Sequence, residues 1–302
     1  MYAIIVSIMK ETTIAFMSDN HIRAEAPGDL SEKNLREALS WYRSHGSGPD
    51  AIAVAGDLSN DGKPEQYSRY MEILRDFVSP DTCFTGCMGN HEWYLWGWGC
   101  NILANHATQQ LQELFTQGTG LAVESDTEIN GFHILCASPD NELVCYRKRE
   151  PFLTRHIQRA QAEDPQKPIF LVCHMGPQDT VIGTIDPETG SSDFLAPDWS
   201  PEFLSLMENT PQLIYIAGHT HADIADPRSI YQKNYTVVNC GCAGEDVKTG
   251  LLARISADNI VTIERIHFAD GTYAGPPWII DIPAAVKDRR NFRYIQTNRN
   301  EM

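Results

Sequence analysis

Thr12–Met17 reads TTIAFM and runs straight into Ser18-Asp19-Asn20-His21. The arrangement returns twice: Ala51–Ala55 (AIAVA) ends at Gly56-Asp57, and the stretch 83–88 (CFTGCM) ends at Gly89-Asn90-His91-Glu92. A continuous apolar run of five fits a parallel strand covered on both faces. Helical spacing fills the gaps between these runs. Leu35, Leu39 and Tyr42 recur at i, i+4 and i+7 across 31–42, with Ser31 as the expected N-cap. Pro64 suits the first turn of a second helix with Tyr67, Met71 and Leu74 as its inward stripe. Polar residues thus collect at the carboxyl ends of apolar strands, where open α/β sheets place their ligands.

Further strands are expected at 132–137, 169–173 and 213–217, the last two ending at His174 and at Gly218-His219-Thr220-His221. From Tyr235 the chain turns to short strands (235–239, 251–256, 260–266) separated by turn signals, which predicts antiparallel pairing. Residues 93–120 and 176–199 read as insertions into a domain spanning 9–268. Residues 269–302 form a C-terminal extension whose end, from Lys287, is polar and rather basic and is expected to be a packed or frayed tail.

The 302 residues carry a net charge of -16, which disfavours duplex nucleic acid, because that binding rests on Lys and Arg neutralising phosphates. Small anions are different, since a metal cluster creates local positive charge on an acidic protein. No stretch approaches the ~20 apolar residues of a membrane span. The apolar segment 2–8 lacks preceding basic residues and a following small-residue cleavage site, which argues against a signal peptide; Met9 is an alternative start. The eight cysteines contain no pair of CxxC motifs. Cys83 with Cys87, or Cys240 with Cys242, could pair or bind metal, but buried free thiols in a reduced, cytoplasmic protein are the expectation.

Singly, each polar motif is weak. In order, Asp19-x-His21, Gly56-Asp57, Gly89-Asn90-His91-Glu92, His174 and Gly218-His219-x-His221 form a specific set. The chain resembles the calcineurin-like metallophosphoesterase superfamily, whose pattern is DxH, GDxx, GNH[DE], H and GHxH, over about residues 14–222. The resemblance implies a four-layer α/β/β/α sandwich of two mixed sheets flanked by helices. It also implies two divalent ions, Mn, Fe or Zn foremost, with Asp57 bridging. Asp19, His21 and His221 would complete one ion's ligands, and Asn90, His174 and His219 the other's. Carboxylate, amide and imidazole donors suit such metals, and the absence of thiolates argues against a structural zinc cage. If the motifs sit on extended strand ends, residues i and i+2 share a face about 7 Å apart, which would let Asp-x-His and His-x-His address neighbouring ions.

Two such ions lower the pKa of a bridging water and stabilise charge on phosphoryl oxygens. The implied activity is hydrolysis of a phosphomonoester or phosphodiester of a small molecule by a metal-bridging hydroxide. A nuclease of the same superfamily, which would need a basic track, and a non-catalytic scaffold, which would usually have lost ligands, are the alternatives. By the same resemblance His91 contacts the phosphate and protonates the leaving oxygen, a role suited to imidazole, unless it merely hydrogen-bonds its loop. Asn60 is a departure: purple acid phosphatases carry a metal-binding Tyr there, and Ser/Thr protein phosphatases an Asp followed by Arg. Met88 likewise stands where the latter carry Arg. Asn60 could orient His91 and contact substrate, or simply shape the turn. Trp93, Trp96 and Trp98 could stack on a substrate or pack the insertion onto the body; Trp96 and Trp98 are candidate substrate contacts. The oligomeric state stays open.

Overall fold

The computed structural model describes residues 11–25, 27–46, 48–95, 107–141, 145–184, 197–245 and 247–288. Two sheets face each other. The first is ordered β12-β11-β10-β1-β2-β3, with β13 also on β11. In it β1 (Thr12–Met17), β2 (Ala51–Ala55) and β3 (Cys83–Cys87) run parallel. β10 (Thr249–Ile255), β11 (Ile260–His267), β12 (Thr272–Tyr273) and β13 (Trp278–Asp281) add antiparallel neighbours. The second sheet is ordered β4-β5-β6-β7-β9-β8. Its parallel centre is β5 (Phe132–Ala137), β6 (Ile169–Val172), β7 (Leu213–Ala217) and β9 (Thr236–Asn239). β4 (Glu124–Ile129) and β8 (Ile230–Gln232) are its antiparallel edges.

Alternation along each strand builds the layers. Ile14 and Phe16 point between the sheets, where they meet Phe132, Ile134, Phe170, Val172 and Ile216. Their neighbours Ala15 and Met17 point the other way, onto α1 (Leu30–Ser44) and α2 (Pro64–Phe77) through Leu35, Leu39 and Tyr67. Across the molecule, Leu135, Leu171 and Tyr215 pack on α4 (Glu150–Glu163) and α5 (Pro201–Glu208) through Leu153, Ile157 and Phe203. The order is helix, sheet, sheet, helix: the four-layer sandwich that the resemblance implied. A one-residue register slip in β1 would exchange its two faces, so the pattern fixes the register.

Three local expectations change. The α1 cap is Asp29, whose carboxylate accepts the Glu32 backbone N–H at 3.0 Å, and Ser31 lies within the first turn. An ionised cap also meets the positive end of the helix dipole. On α2 the buried stripe is Tyr67, Tyr70, Ile73 and Leu74, with Met71 at the rim. The strand at 236–239 pairs antiparallel with β8, as expected, but parallel with β7, because it returns to the second sheet before β10 crosses to the first. Within the stretch 269–288, Trp278, Ile280 and Ile282 join the core between the sheets. Of the two insertions, α3 (Ala107–Thr119) buries Leu111 and Phe115 beside Tyr67, and Val181 and Trp199 pack on the second sheet. Trp93 is buried with α3, so it packs the insertion onto the body; Trp96 and Trp98 lie outside the described residues.

Candidate metal centre

The carboxyl ends of β1, β2, β3, β6 and β7 meet at one edge, and the loops that follow them are not extended. Asp19 (φ 55°), His21 (φ 48°), Asp57 (φ 53°), His219 (φ 66°) and His221 (φ 49°) all have left-handed backbone. The expected strand-end geometry for Asp19-x-His21 and His219-x-His221 is therefore replaced by tight left-handed turns. Each such turn costs a non-glycine residue about 1–2 kcal/mol. Contacts between loops hold them: the Asn20 and His21 N–H groups both donate to the Asp57 carbonyl (2.8 and 3.0 Å), and the His219 N–H donates to Asp19 Oδ2 (2.9 Å).

Two glycines explain the fixed spacing. A Cβ on Gly56 would lie 2.7 Å from His174 Cγ and 2.8 Å from Gly89 Cα. A Cβ on Gly89 would collide with the Asp57 carboxylate. Only bare backbone lets these loops approach so closely.

The expected ligands converge. Asp19, His21 and His221 place one donor atom each within 4.8 Å of one another, as do Asp19, Asp57 and His174. His174 Nε2 is 3.1 Å from Asp57 Oδ2 and 2.9 Å from Asn90 Oδ1. His221 Nε2 is 3.1 Å from Asp19 Oδ1 and 3.2 Å from His21 Nε2. The His219 ring packs edge-on to His174, with centroids 5.1 Å apart. His91 is a near neighbour, 4.4 Å from the His21 ring centroid, with its Nε2 4.0 Å from Asp57 Oδ2.

The donor chemistry fits cations. Asn90 Nδ2 donates to the Tyr94 hydroxyl (2.7 Å), and His174 Nδ1 lies 2.7 Å from the Ala55 carbonyl. Asn90 Oδ1 and Asp57 Oδ2 both face His174 Nε2, whose proton holds the three together in the absence of metal; a cation there would take that proton's place, with Nδ1 still held by the Ala55 carbonyl. His21 and His221 likewise oppose two ring nitrogens, and His21 Nδ1 is buried with no hydrogen-bond partner among the described residues. One cation in each group would satisfy the atoms that face one another there.

The electrostatics agree. Burial pushes the Asp57 carboxyl up, but His174 and His91 outweigh it and hold it well below the carboxylate range. Asp19 is held at about 2, burial again being outweighed by His174 and His221. Burial lowers the His174 imidazole, yet Asp57 and Asp19 raise it to about 9. Two buried carboxylates thus hold protons on the neighbouring imidazoles, and a bound cation would replace those protons.

Several neighbours escaped the sequence reading. Buried Glu92 accepts the N–H groups of Asp57 (3.0 Å), Ser59 (2.9 Å) and Gly89 (2.7 Å), and the Ser59 hydroxyl (2.9 Å). Its place in the GNH[DE] motif was the available signal. Glu245 Oε2 lies 2.9 Å from His221 Nδ1, and the Ser18 hydroxyl bonds Asp19 and the Gly241 carbonyl. Glu245 had no local signal. At Asn60 the backbone acts on His91: its carbonyl lies 2.8 Å from His91 Nδ1. The Asn60 amide is engaged with Arg23 and Asp61.

Comparison with known proteins agrees with this architecture. The sequence pattern of the calcineurin-like phosphoesterases matches residues 12–223, and the chain belongs to that family of phosphoesterase hydrolases. A probable cyclic nucleotide phosphodiesterase from Rhodococcus erythropolis is 32% identical over 85 residues, covering 26% of this chain and 28% of that protein. The purple acid phosphatase from yellow lupin (Lupinus luteus) seeds superposes with a TM-score of 0.61 at 13% identity, over 90% of this chain and 54% of that one. The chain thus spans well under two thirds of either relative, and the second likeness is one of fold. No helix among the described residues is long and apolar enough to cross a membrane.

Proposed function

We propose that this protein hydrolyses a small-molecule phosphate ester at a pair of divalent ions held by Asp19, His21, Asp57, Asn90, His174, His219 and His221. The observation that carries the reading is the convergence of imidazole and amide groups on Asp19 and Asp57, two buried carboxylates held ionised by their surroundings. When bound, the ions supply Lewis acidity toward the phosphoryl group and toward water. Mn, Fe or Zn suits the donor set.

The chain's own residues supply the rest. With its Nδ1–H given to the Asn60 carbonyl, His91 presents Nε2 beside Asp57, as a proton donor for the leaving oxygen. Glu92 holds the Asp57 and Gly89 loops together, which fixes both His91 and the ligands. Asn60 acts on the substrate through His91 in this reading. Trp96 and Trp98 follow Tyr94 closely in sequence and are proposed to flank the substrate.

The likeness to a probable cyclic nucleotide phosphodiesterase makes a cyclic phosphodiester the first substrate to test. The net charge of -16 favours small substrates over duplex nucleic acid. A cytoplasmic setting fits the seven described cysteines, all free thiols. The test is a panel of mono- and diesters with Mn, Fe, Zn and Mg, alongside elemental analysis. Turnover that depends on about two ions per chain supports the proposal; a chain that binds metal and turns over no ester is a scaffold.

A further inference from the structure

His221 is engaged at both ring nitrogens. Its Nε2 lies 3.1 Å from Asp19 Oδ1 and 3.2 Å from His21 Nε2, while its Nδ1 lies 2.9 Å from Glu245 Oε2. An imidazole whose Nδ1–H is taken by a carboxylate offers Nε2 as its metal-binding nitrogen, in a fixed ring orientation.

The backbone brings Glu245 to this place. The Ala243 N–H donates to the Ser18 carbonyl (3.0 Å) and the Gly244 N–H to the Asp19 carbonyl (2.9 Å), so this loop lies along the turn that carries Asp19. On α1, Asn34 is buried, and its Nδ2 donates to the Gly244 (3.1 Å) and Glu245 (2.9 Å) carbonyls. The Glu245 main chain is thus tied to α1 and, through Gly244, to the Asp19 turn. Its side chain, by contrast, is 53% exposed. An ion pair at such exposure adds only about 0–1 kcal/mol to stability. What the placement of this carboxylate determines is the orientation of the His221 ring.

On the paired-ion reading proposed above, we infer that Glu245 is a positioning residue for the ion that Asp19, His21 and His221 would hold. It fixes the tautomer and ring plane of His221 from outside the ligand set. Its bond is to a ligand of one ion, so the two ions respond differently when it is removed.

The test is Mn(II) binding to the full chain, repeated with Zn(II), in wild type, Glu245→Ala and Glu245→Gln, read by equilibrium dialysis. In Glu245→Ala one ion should bind about 10- to 100-fold more weakly, the range for losing an outer partner, with the other unchanged. Glu245→Gln keeps an acceptor oxygen for Nδ1–H and should recover part of the loss. Thermal unfolding of the metal-free variants should match wild type, which a merely structural role would not allow. Equal weakening of both ions, or unchanged affinity for both, overturns the inference. So does a third ion in wild type that Glu245→Ala loses, because Glu245 would then be a ligand itself, beside His221 and Cys242. A wild type that binds both ions and hydrolyses no ester removes the phosphoesterase reading alone, since occupancy still decides the role of Glu245. A wild type that binds neither metal overturns the inference, because His221 then has no ion to hold.

Discussion

The Glu92 carboxylate accepts the backbone N–H of Asp57 at 3.0 Å, across 35 residues of sequence. Glu92 thereby holds the proposed bridging ligand while sitting next to the proposed proton donor. Glu92→Ala would strand four buried donors, on Asp57, Ser59 and Gly89, and should cost about 2–5 kcal/mol. Glu92→Gln keeps one acceptor oxygen and should cost less. Urea unfolding of the metal-free protein measures both; a neutral Glu92→Ala would show that the clamp is dispensable.

Asp57→Asn keeps the shape of the site and removes a charge that faces both His174 and His21. Metal affinity should fall by more than the about 10- to 100-fold typical of losing an outer partner. Equilibrium dialysis with elemental analysis reads the occupancy. Full retention of both ions would reassign the bridging position.

For His91→Ala, leaving-group chemistry sets the expectation. An alkoxide gains much from a donated proton and a nitrophenolate little. Turnover of alkyl phosphates should therefore drop by about 10²–10⁴, with a clearly smaller loss on a nitrophenyl ester and metal content near wild type. Equal losses would point to phosphate binding, and a lost ion would place His91 among the ligands, next to His21 and Asp57.

Away from the site, Glu32 ties α1 to α2 through Arg69 (2.6 Å) and pairs with Arg36 (3.0 Å) within α1. Burial raises its carboxyl, but the bonds from Arg69, the Gly28 N–H and Arg36 outweigh that and bring it to about 2. A carboxyl held low in the fold contributes stability above its unfolded value of 4.5 and loses it as pH falls toward 2. Glu32→Gln should cost about 1–3 kcal/mol at pH 7. The gap to wild type should close between pH 4.5 and 2, as followed by denaturant midpoints; a gap independent of pH would contradict the ion-pair account.

What the sequence determined by itself was the central strands, with β4, β8, β12 and β13 missed, and the residues at the ends of those strands. Apolar runs such as Ala51–Ala55 mark buried parallel strands because burial on both faces leaves no room for polar side chains. The motif residues were legible because each follows its strand directly, so that joining the strands into sheets also gathers the loops. Trp93 shows the limit of that legibility, since an indole beside the motif reads equally as ligand contact or as core, and it is core.

Tertiary structure decided the rest. The left-handed turns at Asp19, His21, Asp57, His219 and His221 are disfavoured locally and persist only because partners on other loops hold them. Glu245 reaches His221 from 24 residues away, and Arg23 meets Asn60 across 37. The direction of β9 followed from which sheet it joined, not from its own residues. Residue type and local spacing are written along the chain. The sign of a backbone angle and the partner of a buried hydrogen bond depend on what packing brings alongside.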